Sequence, residues 1–350
     1  MLPYMIRRAL LPIAAVAVLA ACNEDEITNP DNTTPTQTIT TDSAGTWVFL
    51  RLDDEAQKVT VPTPTASTGW HMGFNGTSVM LNGGAAGPGG VSGYCICQNA
   101  TATNEQIAAM TPATELADFE AVTAEDIPAA EEFITDDLNP AIFGWYNGTP
   151  GTSATVNAGQ TFLISQGSGG SRLLGKFHVL SIASPTATSP GTVTIEWGMQ
   201  STPGGAFTID TAVLATDTGV VHVDLNANAA ASASDWDLKI DGWMIQLNSG
   251  ASGTGTWKAL SAEGTPFATI TKEFAAGPPE QTFKTDVFSG VFASNRWYKY
   301  NITGTDNQIW PTYNVYLLSI GAEVYKVQLI SYYNTGGSSR FITVRYARIQ

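Results

Sequence analysis

A β-segment that opens with tryptophan and ends in a glycine loop occurs twice in this chain, and it constrains the fold more than any other feature. The first copy runs from Trp70 to Gly90 and the second from Trp236 to Gly255. In both copies apolar and polar residues alternate, and both reach Leu-Asn-Gly or Leu-Asn-Ser-Gly before the glycines. Alternation with a period of two is typical of β-strands, and self-similarity at a fixed separation indicates repeated units. The chain is therefore predicted to use one β-unit twice.

The first 21 residues have the pattern of a bacterial lipoprotein signal peptide. Arg7 and Arg8 precede a short apolar run that ends in Leu-Ala-Ala-Cys at Cys22. A basic region, an apolar region and small residues at the cleavage site are typical of secretory signals, and the last four residues match a lipobox. An ordinary signal peptide with a chance cysteine is the alternative. We expect Cys22 to be lipidated and residues 22–42, which are acidic and then rich in Thr and Pro, to be a disordered tether. The β-domains would then be exposed at the bacterial cell envelope, on the outer membrane, held by the lipid anchor alone.

Charge and composition restrict the classes of function. The chain carries 16 basic and 31 acidic residues, with a formal net charge of −15, and this acid excess argues against nucleic acid as a partner. Only 13% of the residues are charged, and Gly, Pro, Asn and Ser break the apolar stretches, which is typical of secreted β-proteins. The sequence has no nucleophile elbow, no His pair at helical spacing and no phosphate loop. We therefore expect a protein that is not an enzyme.

A set of closing strands also recurs in the second half of the chain. They are predicted at 161–165, 175–182 and 192–197, and again at 314–319, 325–332 and 341–346. Lys176 and Lys326 stand at the same place in the two sets. An acidic helical insert is predicted at 103–133, and the second half has a shorter version. We expect a tandem duplication whose domains are residues 43–203 and 204–350.

Only two cysteines remain beyond Cys22, so no disulfide framework is expected. Cys95 and Cys97 are two residues apart, and on a strand they would share one face at the upper limit of disulfide reach. We interpret them as two packed thiols. A soft-metal or redox pair is the alternative, although no second cysteine pair completes a site.

Several of these motifs, in this order, resemble the HmuY-like haem-binding lipoproteins. The residues that carry the resemblance are Trp47, Trp70, Leu81, Asn82, Gly83, Gly84, Trp236, Leu247, Asn248, Gly250, Trp297, the run Tyr325–Tyr333 and the closing run Ile342–Tyr346. The likeness covers most of residues 45–350, as two diverged copies. The resemblance implies a mainly β fold of two tandem HmuY-like antiparallel β-domains, with a short helical insert in the first. It also implies haem or a related porphyrin as the ligand, a role in haem and iron uptake, and an outer-membrane TonB-dependent receptor as a partner.

The iron ligands of the family do not transfer to this sequence. Family members hold the iron with axial His or Met side chains, and the founding member has one His in the stretch after Trp297, where this chain has Tyr298–Ile302. The remaining ligand candidates are His71, His178, His222 and Met110. Packing or hydrogen bonding inside the β-structure is the alternative for each of them. The missing His supports a second hypothesis, in which the protein is a non-haem interaction or glycan-binding module that kept the fold and lost the axial ligands.

The C-terminal end is basic within an acidic chain. From Arg296 onward there are six basic residues and two acids. Five of them form a candidate face for an anionic ligand or partner: Arg296, Lys299, Arg340, Arg345 and Arg348. Haem propionates, an anionic glycan or an acidic receptor would suit such a face. Because Arg345 alternates with apolar neighbours, we expect it to point away from the core; a solvated sheet face without a ligand is the alternative.

Overall fold

Short strands linked by turns account for most of the ordered structure, as the alternating sequence predicts. The computed structural model describes residues 35–43, 46–53, 55–186 and 191–350. The strands of the first half are β1 (Gln37–Thr40), β2 (Val48–Arg51), β3 (Gln57–Val59), β4 (Met72–Asn75), β5 (Ser78–Leu81), β6 (Ser92–Cys95), β7 (Leu138–Asn139), β8 (Tyr146–Asn147), β9 (Thr155–Val156), β10 (Thr161–Gln166), β11 (Leu173–Ala183) and β12 (Thr192–Gln200). Those of the second half are β13 (Phe207–Ala215), β14 (Val221–Asp224), β15 (Ala229–Ala230), β16 (Leu238–Asp241), β17 (Met244–Leu247), β18 (Lys258–Ser261), β19 (Val287–Phe288), β20 (Tyr298–Tyr300), β21 (Ile309–Pro311), β22 (Val315–Ile320), β23 (Glu323–Tyr333) and β24 (Ser339–Arg348).

The α-helices among the described residues are short. They are α1 (Asn104–Ala109), α2 (Leu116–Ala121), α3 (Lys272–Ala276) and α4 (Val291–Ser294). The predictions of a mainly β fold and of a helical insert in the first half are therefore confirmed, since α1 and α2 lie inside residues 103–133. No helix in the described ranges is long and apolar enough to cross a membrane. The predicted signal peptide, residues 1–21, and the predicted lipidation site Cys22 lie outside the described residues.

Two bodies are built, each from a five-stranded antiparallel sheet packed on a four-stranded one. The terminal body combines the sheet β1-β24-β23-β22-β6 with the sheet β3-β2-β4-β5. Leu50, Phe74 and Tyr316 share its buried core. The central body combines β13-β12-β11-β10-β18 with β15-β14-β16-β17, and its core includes Trp197 and Leu238. Facing sheets of this kind bury the apolar side of each alternating strand.

Each body takes strands from both halves of the chain. In the terminal body, β22 of the second half pairs with β6 of the first, and β24 pairs with β1. In the central body, β10 of the first half pairs with β18 of the second, and β12 pairs with β13. The predicted boundary at 203 and 204 lies in the turn between β12 and β13. Residues 43–203 and 204–350 therefore do not correspond to the two bodies, because β-pairing joins segments that are distant in sequence.

The segments that connect the bodies cross each other. The chain passes from the terminal body to the central one through β7 and returns through β19. They pair antiparallel, with Leu138 opposite Phe288 and Asn139 opposite Val287. This crossing lets the closing strands of each half complete the sheet of the other.

Part of the predicted tether is ordered. The disordered segment was predicted to run to residue 42, but Gln37–Thr40 forms β1 and pairs with β24. Ile39 packs against the buried core of the terminal body, and the Thr40 and Thr343 hydroxyls lie 2.8 Å apart. The alternation in this short stretch is compatible with an edge strand. Its Thr-rich composition therefore did not predict disorder correctly.

The helical insert covers the outer face of the terminal body, and this changes the expected exposure of one arginine. Phe119 of α2 packs with Val315 and Leu317 on that face. Arg345 on β24 lies beneath the insert, is 5% exposed, and donates hydrogen bonds to Gln328 Oε1 and the Pro112 carbonyl. Arg345 does face away from the core between the sheets, which holds its neighbours Val344 and Tyr346. The expectation that its charge is accessible on that outer face is wrong, because the insert covers it.

Cys95 and Cys97 form a disulfide, so the interpretation of two packed thiols is also wrong. β6 ends at Cys95, and Cys97 has a left-handed φ of 56°. This change of backbone conformation brings the two Cα atoms to 5.0 Å, inside the range for a disulfide. The expectation from sequence assumed that both residues stay on a strand.

Candidate functional site

Two adjoining clefts open on the terminal body beside Arg296, and we call them together the Arg296 cleft. The outer part has a volume of about 730 Å³ and is lined by Thr77, Asn104, Arg296, Tyr298, Lys299, Tyr300, Asn301, Ile302 and Ile309. The inner part, of about 400 Å³, extends towards the crossing strands and the Gly250 loop. Thr77, Arg296 and Tyr298 line both parts. The site is thus built by segments from both halves of the chain.

The β4–β5 hairpin and β20 position the shared residues. Gly76 turns the hairpin with a left-handed φ of 57°, which glycine adopts without steric cost. The buried Trp297 donates from Nε1 to the Thr77 carbonyl at 2.9 Å. Its neighbour Tyr298 begins β20, which pairs with β21. The tryptophan therefore ties the hairpin tip to the strand that presents Tyr298.

The outer part is polar and carries two cations. Arg296 is exposed, and no ion pair of its guanidinium is found in the described part of the chain. Lys299 is half-buried and donates to the Ala102 carbonyl at 2.6 Å. Tyr300 donates to Asn307 Oδ1 at 2.8 Å, which fixes its ring at the rim. This arrangement favours an anionic group near Arg296.

The inner part is more apolar than the outer part. Its walls include Trp47, Val79, Met80, Phe288 and Phe292. Asp286 also lines it, but its carboxylate accepts hydrogen bonds from the backbone N–H groups of Leu247 (2.9 Å) and Ala141 (2.8 Å). Burial raises the pKa of Asp286 above its ordinary value. This carboxylate therefore holds the backbone in place, and the apolar wall is the part available to contact a ligand.

The described lining suits the carboxylate side groups and the flat ring of a porphyrin, but it offers no imidazole to ligate the iron. Arg296 and Lys299 match carboxylate side groups, and the inner wall matches a flat apolar ring. For iron, the cleft offers the phenols of Tyr298 and Tyr300 and the thioether of Met80, two ligand types that occur in haem proteins. No His or Cys lines either part among the described residues. Nor does the described chain contain a cluster of three or more His, Cys, Asp or Glu that could hold a metal ion.

The three His candidates lie on different elements, and each has a protein partner. Nδ1 of His71 accepts a hydrogen bond from the Leu52 N–H at 3.0 Å, and burial lowers its pKa. His178 on β11 pairs with Glu196 at 2.7 Å and stacks on Phe267 with centroids 4.2 Å apart.

His222 and Met110 also lie outside the cleft lining. His222 on β14 packs edge-on against Trp236 with centroids 5.7 Å apart, and partial burial lowers its pKa. Met110 ends α1 and is half-buried. The structure therefore does not bring these four candidates together, and their role in iron binding stays a prediction.

The five residues of the predicted basic face separate into three groups. Arg296 and Lys299 line the cleft. Arg340 is exposed at the start of β24, and Arg348 pairs with Glu323 at 2.7 Å. Arg345 is buried beneath the insert, as described above. A single face formed by all five is therefore not present.

Sequence reasoning missed Thr77, Met80, Phe288 and Tyr298 as parts of one site. The recurrence of the Trp-Tyr pair at Trp145 and Trp297 was a signal for Tyr298, because it marked the strand that lines the cleft. Thr77 and Phe288 carried no such signal, since only the folded chain joins the hairpin tip to the crossing strand.

Comparisons with known proteins identify one family. The family model described as HmuY protein matches residues 43–346, which includes the central body and most of the terminal body. A solved structure of a candidate lipoprotein from Bacteroides fragilis NCTC 9343 is 15% identical; the match covers 46% of this chain and 90% of that one, with a TM-score of 0.14. A score this low does not establish a shared fold. None of the curated proteins matches the chain. On the strength of the family model, which spans most of its length, the chain belongs to the HmuY protein family.

Proposed function

We propose that this protein is a lipid-anchored binding protein of the bacterial cell envelope that takes up haem or a related porphyrin in the Arg296 cleft. Membership of the HmuY family supports a haem-binding kind of function. The observation that carries the proposal is Arg296 itself. Its exposed guanidinium and Tyr298 stand where the polar outer part meets the apolar inner part.

The cleft would hold different parts of the ligand with different residues. Arg296 and Lys299 would bind the propionates, which are carboxylates that prefer charged donors. The apolar ring would lie against the inner wall, near Phe288 and Phe292. Haem supplies an iron that a phenol or a thioether can ligate, which makes Tyr298 and Met80 the candidates within the cleft lining. The candidates taken from the sequence, His71, His178, His222 and Met110, lie outside that lining.

The role that follows is capture and transfer, not catalysis. An anchor at Cys22 would hold the protein on the outer membrane, and a TonB-dependent receptor would take the haem from it. The open outer part of the cleft suits such a transfer, because a ligand held at the rim can be released without unfolding the body.

A haem titration followed at the Soret band tests the proposal. The purified protein, in the ferric and the ferrous state, is expected to give a sharp band that saturates at a fixed stoichiometry. Arg296→Ala should weaken binding about tenfold, which corresponds to the loss of one charge-assisted hydrogen bond. The matched control is Arg340→Ala, an exposed arginine outside the cleft. A broad change that never saturates, or equal binding by both variants, would refute the proposal.

The same titration ranks the iron ligands. Tyr298→Phe and Met80→Leu keep the size of each side chain and remove its donor to iron. Alanine changes at His71, His178, His222 and Met110 test the candidates taken from the sequence. A shift in the Soret position for one variant alone identifies that residue as an axial ligand.

A second function has one specific observation in its favour. The described lining contains no His, whereas Asn104, Asn301 and the exposed ring of Tyr300 present amides and an aromatic face at the rim. Aromatic rings beside amides suit sugar rings, so an anionic glycan is the alternative ligand. Binding on a glycan array that Tyr300→Ala abolishes, with no Soret change, would support this function instead.

A further inference from the structure

The central body contains the counterpart of the hairpin and strand that form the Arg296 cleft. Gly242 turns the β16–β17 hairpin with a φ of 57°, the value found at Gly76. Trp145 is buried and packs edge-on against Tyr146, with centroids 4.7 Å apart and planes at 69°. Trp297 and Tyr298 have nearly the same geometry, at 5.3 Å and 66°. The two bodies are therefore equivalent at this place.

The residue after the hairpin glycine differs between them. In the terminal body it is Thr77, whose short side chain lines the open cleft beside Tyr298. In the central body it is Trp243. Its indole stacks on Trp145 with planes 4° apart and centroids at 5.8 Å, and it meets the Tyr146 ring edge-on at 5.4 Å. The indole thus occupies, beside Tyr146, the place that Thr77 has beside Tyr298.

The cations of the cleft also lack counterparts. The residue before Trp145 is Gly144, where the terminal body has Arg296 before Trp297. The residue after Tyr146 is Asn147, where the terminal body has Lys299. At these two positions the central body therefore carries no positive charge.

We infer that the Trp243 indole occupies the space in the central body that corresponds to the Arg296 cleft, which Thr77 leaves open in the terminal body. The chain would then have one ligand site for its two copies. This inference rests on the proposed function in taking haem as the ligand. The small residue after the hairpin glycine, together with Arg296 and Lys299, then makes the terminal body the one that binds.

Reciprocal substitutions at the two hairpin tips test the inference. Thr77→Trp should fill the terminal cleft and weaken haem binding at least tenfold, while Trp243→Thr should leave the affinity of the existing site unchanged. Thr77→Ser is the matched control, because it keeps a small hydroxyl side chain. Wild type should saturate at one haem per chain, measured against protein concentration from amino-acid analysis.

A readout without ligand separates failure of this inference from failure of the proposed function. Stacked indoles give an exciton signature in circular dichroism, which Trp243→Thr should remove and Thr77→Trp should strengthen through Trp297. Two haems per chain in wild type, or wild-type haem affinity in a Thr77→Trp variant that has gained this signature, would overturn the inference. If wild type binds no haem, the proposed function fails, and the circular dichroism still decides whether an indole at the tip fills the space. Should Trp243→Thr fail to fold, Thr77→Trp alone decides the same point.

Discussion

Leu138 and Phe288 face each other in the antiparallel ladder of β7 and β19, and they are equivalent residues of the two halves. Two residues before each of them, a buried aspartate accepts a hydrogen bond from a backbone N–H. Asp136 accepts from Leu81 at 2.8 Å, and Asp286 accepts from Leu247 at 2.9 Å. Equivalent residues that pair antiparallel are related by a local two-fold axis, as in a symmetric dimer. The chain thus has the arrangement of a strand-exchanged dimer within one polypeptide.

Because each half completes a sheet of the other, cutting the chain between the halves should not separate them. A protease site inserted between Pro203 and Gly204, in the exposed turn before β13, allows a clean cut. We expect the two fragments to elute together in size-exclusion chromatography, with the circular dichroism of the intact protein. Denaturant should separate them, which serves as the control. Two separately eluting, folded fragments would contradict the exchange and favour autonomous halves.

The buried amine of Lys326 should contribute strongly to stability. It donates to the carbonyls of Phe119 (2.9 Å) and Val122 (2.7 Å), which end α2, and lies 4.7 Å from the Phe119 ring centre. Lys326→Met keeps the apolar stem and removes the ammonium donor; the Phe119 carbonyl then keeps only the Val122 N–H, and the Val122 carbonyl loses Nζ. We expect the free energy of unfolding to fall by about 2–4 kcal/mol, measured by denaturant titration.

The control for this change is Lys58→Met on the exposed face of β3, which should alter the free energy of unfolding by less than about 0.5 kcal/mol. Lys176→Met tests the equivalent buried lysine of the central body, whose Nζ donates to the Phe267 carbonyl at 2.9 Å. An effect of Lys326→Met no larger than that of Lys58→Met would rule out a structural role for the amine.

The sequence predicted the elements and the repeat better than the bodies they form. Alternation and turn residues are local, so the hairpins that begin near Trp70 and Trp236 could be predicted from a few residues each. The match between Lys176 and Lys326 was also visible, and both lysines hold the covering segments of their sheets. Which half supplies which strand depends on pairing between distant segments, and the repeat leaves both choices open.

The candidate site was harder to predict for the same reason. Arg296 and Lys299 were identified from charge alone, and they do line the cleft. Arg345 was assigned to the same face, because alternation along β24 does not reveal that a helical insert covers the second side of the sheet. Thr77 and Phe288 reach the cleft through contacts between distant segments, which no local pattern records.

The disulfide should contribute modestly to stability, because it closes a ring of three residues. In the chain-entropy account of disulfide stabilisation, removing the cross-link of so short a ring lowers the free energy of unfolding by about 1–2 kcal/mol. The segment is also held by Gln98, which donates to the Tyr313 carbonyl at 2.9 Å and accepts from the Val315 N–H at 3.0 Å. We expect Cys95→Ser with Cys97→Ser to lower the free energy of unfolding by that amount. Reduced wild-type protein should be as stable as the double serine variant. Complete unfolding of either one would show that the disulfide contributes more than this.

The carboxyl group of Asp136 should make stability depend on pH. It is 1% exposed, and burial raises its pKa from 3.8 to about 7. A carboxyl group whose pKa is raised on folding binds more protons in the folded state, so its contribution to stability falls as pH rises from about 4 to 7. At one pKa unit per 1.36 kcal/mol, the loss over this pH range is about 3 kcal/mol.

Asp136→Asn should remove this dependence, because the amide oxygen can still accept from the Leu81 N–H and carries no charge. The difference in the free energy of unfolding between variant and wild type should therefore shift in favour of the variant from pH 4 to pH 8. Since other acids give pH slopes of their own, that difference is the quantity to measure, with the exposed Glu131→Gln as the control. A difference that stays constant across this range would mean that Asp136 titrates near its ordinary pKa and that the Leu81 hydrogen bond holds a charged carboxylate at neutral pH.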